Sequence, residues 1–213
     1  MSNLYDARRW KSLGELRAFL ETTSNPVVLL EGTRQLSASE SGPLVTLGRK
    51  LATELPTVTF RTGNASGSDS AFAEGVAAVD ARRLQFLLPN DRMGRGRIPS
   101  LSYTMGLESL PQNAAGRVAE ATMQATPDNR RLVEHYQQAE KPTRSSQKAT
   151  YLLRDTLKVM GCAETGLAPA TVGIFYVNQM DPMSGGTGHT IRVCIQYSVP
   201  VVTQMGWWRW LSA

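Results

Sequence analysis

The chain has 213 residues, of which 41% are hydrophobic and 19% are charged, and its net charge is +5. This composition excludes the disordered and collagen-like classes, and no run approaches the roughly 18 apolar residues of a membrane-spanning helix. The length predicts one domain over residues 1–213, with a core large enough to fold without cross-links. Two cysteines are too few for a disulfide framework or for a four-ligand zinc site.

The N-terminal residues are polar and charged and lack the apolar stretch of a secretory signal. We therefore expect a cytoplasmic protein without a membrane partner. The small excess of positive charge favours anionic partners without requiring them.

The first half of the chain alternates between strand and helix signals. Short apolar runs bounded by turn residues indicate buried strands, and leucines spaced by three or four indicate helices. The expected strands are 27–30, 57–60 and 84–88, and the expected helices are 7–22, 43–55 and one that begins at Ser68. Such an alternation predicts a parallel sheet with crossover helices.

The second half contains more helix. Residues 90–112 are rich in Gly, Pro, Arg and Ser and predict a long loop. A helical insertion at about 113–160 follows, and the remaining elements are a strand at 172–177, a short helix at 190–197 and a strand at 199–202. The sequence thus predicts an α/β domain with a mainly parallel sheet of five or more strands.

Three of these strands end in loops of small residues, at 31–37, 61–69 and 183–190. Ligands of open parallel sheets bind beyond the carboxyl ends of the strands, and glycine lets backbone N–H groups approach them closely. The last two loops open helices, whose free N–H groups favour a phosphate. The candidate ligand-binding residues are Gly32, Thr33, Arg34, Ser37, Thr62, Gly63, Asn64, Ser66, Gly67, Ser68, Asp69, Gly185, Gly186, Thr187, Gly188, His189 and Thr190.

Within this set, we expect Arg34 and the helix starts at 68–69 and 187–188 to bind phosphate. Asn64, Asp69 and His189 would orient a sugar or base. The chain has no GxGxxG after its first strand and no GxxxxGK[ST], which argues against a dehydrogenase and a P-loop NTPase.

The loops resemble those of the SLOG superfamily, the Rossmann-like proteins that include LOG enzymes, molybdenum-cofactor carriers and DprA/Smf. The first loop with Gly32-Thr33-Arg34 is similar to the family's Gly-Ser-Arg motif, and 62–69 is similar to its glycine-rich second loop. Arg154-Asp155-Thr156 stands where the family has an Arg-centred helix motif. Residues 185–190 resemble its PGGxGT motif. The resemblance implies a Rossmann-like three-layer sandwich and a nucleotide or related phosphorylated ligand.

One departure from the SLOG pattern bears on activity. LOG hydrolases use a glutamate after PGGxGT to cleave an N-glycosidic bond, and Arg192 stands there in this chain. A guanidinium would bind a phosphate or carboxylate, which favours a binding or sensing protein. The alternatives are a nucleotide hydrolase or phosphoribohydrolase of LOG type that uses Asp69, Glu74 or His189, and a DprA-type single-stranded DNA-binding protein. No cofactor is predicted beyond the phosphorylated ligand, with which Mg²⁺ could enter.

Two further features concern partners. The arginines of 92–97 form a local basic patch. Two interpretations stay open, an ordinary solvated loop and a phosphate-binding surface. Trp207 and Trp210, three residues apart, would share a helix face and pack inward, whereas Trp208 would be free for an interface. Since SLOG proteins often form oligomers, the resemblance also implies a homo-oligomer.

Overall fold

The computed structural model describes residues 10–91, 95–139 and 144–212. It contains six strands, which are β1 (Val27–Gly32), β2 (Thr59–Thr62), β3 (Leu84–Leu88), β4 (Tyr103–Gly106), β5 (Val172–Tyr176) and β6 (Val201–Thr203). The helices are α1 (Leu13–Leu20), α2 (Ala38–Glu54), α3 (Ser68–Asp80), α4 (Gln112–Ala125), α5 (Arg130–Gln138), α6 (Arg144–Met160), α7 (Gly185–Gln196) and α8 (Gln204–Trp207).

All six strands belong to one parallel sheet in the order β4-β3-β2-β1-β5-β6. The chain moves outward from β1 through β2, β3 and β4, and then returns to β5 on the other side of β1. The order therefore reverses between β1 and β5, where ligands of doubly wound folds bind. This architecture confirms the predicted Rossmann-like α/β sandwich.

Helices cover both faces of the sheet. Apolar residues of α1, α2 and α3 form one core with alternate residues of the strands, among them Phe60 and Ile174. On the other face α4, α6 and α7 bury Leu87, Phe175 and their neighbours in two separate apolar clusters. The same three helices also bury polar side chains that bond to one another, those of Thr122, Thr156 and His189. Across the described ranges, no helix combines the length and the apolar character needed to cross a membrane.

The largest differences between predicted and observed elements concern β4, α7 and α2. The predicted loop at 90–112 contains the edge strand β4, whose sequence Tyr-Thr-Met-Gly lacks a long apolar run because an edge strand is paired on one side only. Helix α7 begins at Gly185, five residues before the prediction, since glycines in its first turn concealed the helix. Helix α2 begins at Ala38, where Glu40 accepts the backbone N–H of Ser37 and closes its first turn.

Some predictions fall only partly on described residues. The expected helix at 7–22 is represented by α1, and its residues before Trp10 lie outside the described range. Residues 92–94 of the basic patch also lie outside it, whereas Arg95–Arg97 form a single 3-10 turn.

The C-terminal tryptophans pack as their spacing predicts. Trp207 and Trp210 are fully buried, and Trp208 is about half exposed. The indole N–H of Trp207 donates to the carbonyl of Phe175, and that of Trp210 donates to the carbonyl of Trp10. The segment after β6 therefore closes the α1 face of the sheet.

One buried hydroxyl yields a stability prediction. Thr62 Oγ1 is sealed from solvent and has no hydrogen-bond partner among the described residues, which is unfavourable by about 1–3 kcal/mol. Thr62→Val keeps the shape and removes this hydroxyl, so we expect it to raise the free energy of unfolding by about 1 kcal/mol in urea denaturation. The control is Thr122→Val, which removes a hydroxyl bonded to Val118 and Thr156 and should destabilise the protein. A loss of stability in Thr62→Val would contradict the prediction.

Candidate functional site

A crevice of about 1010 Å³ opens at the carboxyl edge of the sheet. Its walls are the loops after β1, β2 and β5, and helix α6 lies across it with Lys148, Tyr151, Leu152, Arg154 and Asp155. The volume is at the upper end of the range for small-molecule sites. The position matches the reversal of strand order between β1 and β5.

The structure brings ten of the seventeen candidate residues to this crevice. They are Gly32, Thr33, Arg34, Gly63, Asn64, Ser66, Asp69, Gly185, Gly186 and Thr187. The other seven, which do not line it, are Ser37, Thr62, Gly67, Ser68, Gly188, His189 and Thr190. All three loops predicted from the sequence therefore contribute to one site, although several of their side chains face elsewhere.

The first loop is held by its neighbours on both sides. The N–H of Thr33 donates to the carbonyl of Tyr176 on β5, and Ser68 donates from both its N–H and its hydroxyl to the carbonyl of Thr33. A Cβ on Gly32 would lie 2.2 Å from the carbonyl oxygen of Tyr176, so only glycine allows this approach. Ser68 thus positions the loop and is not itself available to a ligand.

The second loop is organised by Asp69. This carboxylate accepts the N–H groups of Gly63 (3.2 Å) and Ala65 (3.3 Å). Burial raises the pKa of Asp69, and the cations of α6 oppose that effect. A carboxylate in the first turn of α3 makes this helix start a poor phosphate site, in contrast to the prediction for 68–69.

The start of α7 is the helix terminus that stays open toward the crevice. Its N-cap residue, Ser184, makes no side-chain capping bond, and the N–H groups of Gly185, Gly186 and Thr187 have no acceptor among the described residues. Gly188 is the first to donate within the helix, to the carbonyl of Ser184. Three free N–H groups and the positive end of a 12-residue helix face the crevice together.

His189 lies beneath the crevice and does not line it, contrary to its expected contact with a sugar or base. Its ring is fully buried, with Nδ1 2.8 Å from the hydroxyl of Thr126 and Nε2 3.0 Å from that of Thr156. Burial lowers its pKa to about 4, so the ring is neutral at physiological pH. His189 therefore joins α7 to α4 and α6 as a structural residue.

The crevice and network residues left out of the candidate set come chiefly from α6, although the sequence analysis noted the motif that contains Arg154 and Asp155. Tyr151, Arg154, Asp155 and Lys158 recur at spacings of three or four, which places them on one side of the helix. Arg154 and Asp155 are nearly buried, and Lys158 is fully buried. The sequence signal that could have identified these residues is a polar stripe along a helix whose inner side is otherwise apolar.

These side chains form a buried ionic network with Glu31, the last side chain of β1. Lys158 Nζ contacts Glu31 Oε1 at 2.6 Å and Asp155 Oδ1 at 2.7 Å. Arg154 binds the same Asp155 oxygen at 2.6 Å and donates to the carbonyl of Gly63. Although burial alone would raise it, these two cations bring the pKa of Asp155 below its ordinary value.

Arg61 adds a third buried cation, on β2. Its guanidinium donates twice to the side-chain oxygen of Gln85 and once to the backbone carbonyl of Lys158. Burial lowers its pKa to about 10, so it stays charged at pH 7. Arg61 therefore links the middle of the sheet to the C-terminal part of α6.

Four cations surround the opening of the crevice. Arg34, Arg97 and Lys148 are exposed and form no ion pair within the described part of the chain. Arg192 is partly buried and donates to the hydroxyl of Thr126 and the carbonyl of Met183. It also lines the crevice. The loop after β5 adds one acidic side chain to the same wall, that of Asp181.

The residues considered for hydrolysis do not assemble into one catalytic group. Glu74 is exposed on α3 and does not line the crevice, and His189 is sealed below it, which leaves Asp69. Among the described residues, no group of three or more His, Cys, Asp or Glu side chains could hold a metal ion.

Comparison with known proteins gives little further guidance. No protein-family profile and no curated protein matches the chain. A solved structure of DNA processing protein A from Helicobacter pylori, described by its single-stranded DNA binding mode, is similar over 95% of this chain and 77% of its own, with 13% identity and a TM-score of 0.44. At this level of similarity no residue of this chain takes a role from that protein.

The buried network predicts a large effect for one substitution. Lys158→Met removes the cation shared by two carboxyl groups, and breaking a buried pair in this way is unfavourable by about 3–5 kcal/mol. We expect a loss of this size in urea denaturation. Arg130→Met, which removes a surface pair with Glu134, should change stability by less than about 1 kcal/mol. Equal effects of the two substitutions would contradict the assignment.

A second prediction concerns pH. Burial, followed by repulsion from Asp69, raises the pKa of Glu31 from 4.5 to about 8. The folded protein therefore binds this proton more tightly than the unfolded chain, and the stabilising contribution declines as pH rises from about 5 to 8. Glu31→Gln has no such proton, so its stability relative to wild type should increase over that interval. Unfolding curves at pH 5, 6, 7 and 8 test this, and a constant difference would contradict it.

Proposed function

We propose that this crevice binds a nucleotide or nucleotide-like phosphate compound, and that the protein acts in binding or sensing. The observation that carries the proposal is the open start of α7, where three backbone N–H groups without acceptors in the described chain face the same space as Arg192. Backbone donors, a helix dipole and a guanidinium together favour a phosphoryl group. We further propose SLOG membership on the basis of the three loop motifs.

The shape and charge of the crevice support a ligand larger than phosphate alone. Its volume of about 1010 Å³ can accommodate a nucleotide. Exposed cations and the buried carboxyl groups of Glu31, Asp69 and Asp155 both line it, so different parts of a bound compound would meet different chemistry. Asn64, Asn178 and Asp181 add hydrogen-bonding groups for a sugar or base.

Single-stranded DNA is the second candidate, favoured by the exposed cations at the opening. Arg34, Arg97 and Lys148 are arranged around the mouth of the crevice without acidic partners in the described residues, as a phosphate backbone would require. Binding of DNA would use these exposed side chains, whereas binding of a nucleotide would also use the α7 start and Arg192.

The proposal predicts the response of one arginine variant. Calorimetric titration with AMP, ADP, ADP-ribose and inorganic pyrophosphate should show binding to the wild-type protein. Arg34→Ala should weaken this binding at least about tenfold, because a hydrogen bond to a charged group contributes about 1.5–3 kcal/mol. The matched control is Arg17→Ala on α1, which removes the same charge far from the crevice and should leave the affinity unchanged.

A 20-nucleotide oligothymidylate distinguishes the second candidate. DNA binding should weaken steeply between about 50 and 200 mM salt, whereas a small ligand in a crevice should respond less. Binding of oligothymidylate with no response to any of the four small phosphate compounds would overturn the nucleotide proposal. Equal losses in Arg34→Ala and Arg17→Ala would show that the crevice is not the site.

A further inference from the structure

Glu31 has one carboxyl oxygen that the protein leaves unused. Oε1 accepts a hydrogen bond from Lys158, and Oε2 has no hydrogen-bond partner among the described residues, although the residue is only 4% exposed. Within that part of the chain, Thr62 Oγ1 is the sole fully sealed polar side-chain atom without a partner. Oε2 of Glu31 therefore opens onto accessible space, and the space that Glu31 lines is the crevice.

Near Glu31, three carboxyl groups share two cations, Arg154 and Lys158, because the guanidinium of Arg61 binds Gln85 and the backbone carbonyl of Lys158 instead. Asp155 contacts both Arg154 and Lys158, and Asp69 is satisfied by two backbone N–H groups. Glu31 has a share of Lys158 alone. Burial raises the pKa of both Glu31 and Asp69, and of these two only Asp69 has backbone N–H donors that favour its ionised form, which makes Glu31 the candidate for a neutral carboxyl group.

From this geometry we infer that Glu31 takes part in ligand binding as a neutral carboxyl group, whose Oε2–H donates a hydrogen bond to the phosphoryl group of the bound compound. The inference rests on the proposed function and specifies how that site recognises its ligand. Lys158 occupies Oε1, which leaves the proton to Oε2 on the crevice side. If Glu31 were ionised, the same atom would repel a phosphate and offer it no donor.

The charged and titratable groups near Glu31 agree with a neutral state at pH 7. Burial is the largest cause of its raised pKa of about 8, repulsion from Asp69 and Asp155 adds to it, and Lys158 and Arg154 reduce it. Cys194 faces Glu31 from α7, and burial raises the pKa of its thiol, so this group stays uncharged. The neighbours are Asp69 on α3, Arg154, Asp155 and Lys158 on α6, and Cys194 on α7.

The inference predicts that ligand binding is linked to a proton. AMP is titrated calorimetrically at pH values from 7 to 9.5, and inorganic pyrophosphate is a second probe at pH 7, because it titrates itself within the upper part of that range. Because the binding-competent fraction falls as Glu31 ionises, the affinity of wild type should fall roughly 30-fold between pH 7 and 9.5. With AMP, whose own phosphate titrates near pH 6, about half a proton or more should be taken up per ligand at pH 8.5, as measured in two buffers of different ionisation enthalpy.

Variants identify the group that takes up the proton. Glu31→Gln presents an N–H donor at the same place without titrating, so its affinity at pH 7 should stay within a fewfold of wild type and remain nearly constant to pH 9.5. Glu31→Leu keeps the bulk and removes the donor, so it should bind at least about tenfold more weakly at pH 7. The control is Glu74→Gln, which removes an exposed carboxylate outside the crevice and should keep the wild-type pH dependence. Thermal unfolding of each variant confirms that it is folded.

The possible results separate this inference from the function on which it rests. If Arg34→Ala weakens binding, the phosphate site stands. The role of Glu31 is then overturned if wild-type binding does not depend on pH, or if Glu31→Gln keeps the pH dependence of wild type. A strong loss of binding in Glu31→Gln at pH 7 would mean that the carboxylate acts as an acceptor, which also overturns the inference. Absence of binding by both probes would overturn both proposals.

Discussion

The architecture depends on the burial of charge between the sheet and helix α6. Glu31, Asp69 and Asp155 supply three carboxyl groups there, and Arg61, Arg154 and Lys158 supply three cations. Removing such groups from water is unfavourable unless geometry and hydrogen bonding compensate, so α6 can dock in few other ways. A register shift of one residue would separate Lys158 from both its carboxyl partners. The network therefore fixes the position of α6 over the carboxyl edge of the sheet. Because α6 lines the crevice, the network also fixes the shape of the base of the crevice.

Hydrogen bonds to buried side chains hold the three loops that border the crevice. Asp69 holds the second loop through two backbone N–H groups, while Arg154 binds the carbonyl of the same loop from the opposite side. Ser68 and Tyr176 hold the first loop, and His189 joins α7 to α4 and α6. Among the described residues that line the crevice, polar groups remain unused at Arg34, Arg97 and Lys148, at the start of α7 and at Glu31.

Local pattern and topology rules were enough to predict the fold and the meeting of the three loops. Alternating strands and helices imply a parallel sheet, and a parallel sheet brings all its carboxyl-end loops to one edge. Side-chain direction was harder to predict, because the glycine loop that contains His189 turned out to be the start of a helix with one face buried. Glu31 and Lys158 were missed because partners 127 residues apart leave no mark in local spacing. Edge strand β4 was missed because edge strands have weak apolar signals.

Tyr176 connects parts of the molecule that seem unrelated in sequence. Its carbonyl accepts the N–H of Thr33, its hydroxyl donates to Glu40 at the start of α2, and its ring packs against Trp207. Through Tyr176, Trp207 is thus linked to the loop after β1. A change in the packing of Trp207 would therefore alter the support of that loop as well as the core.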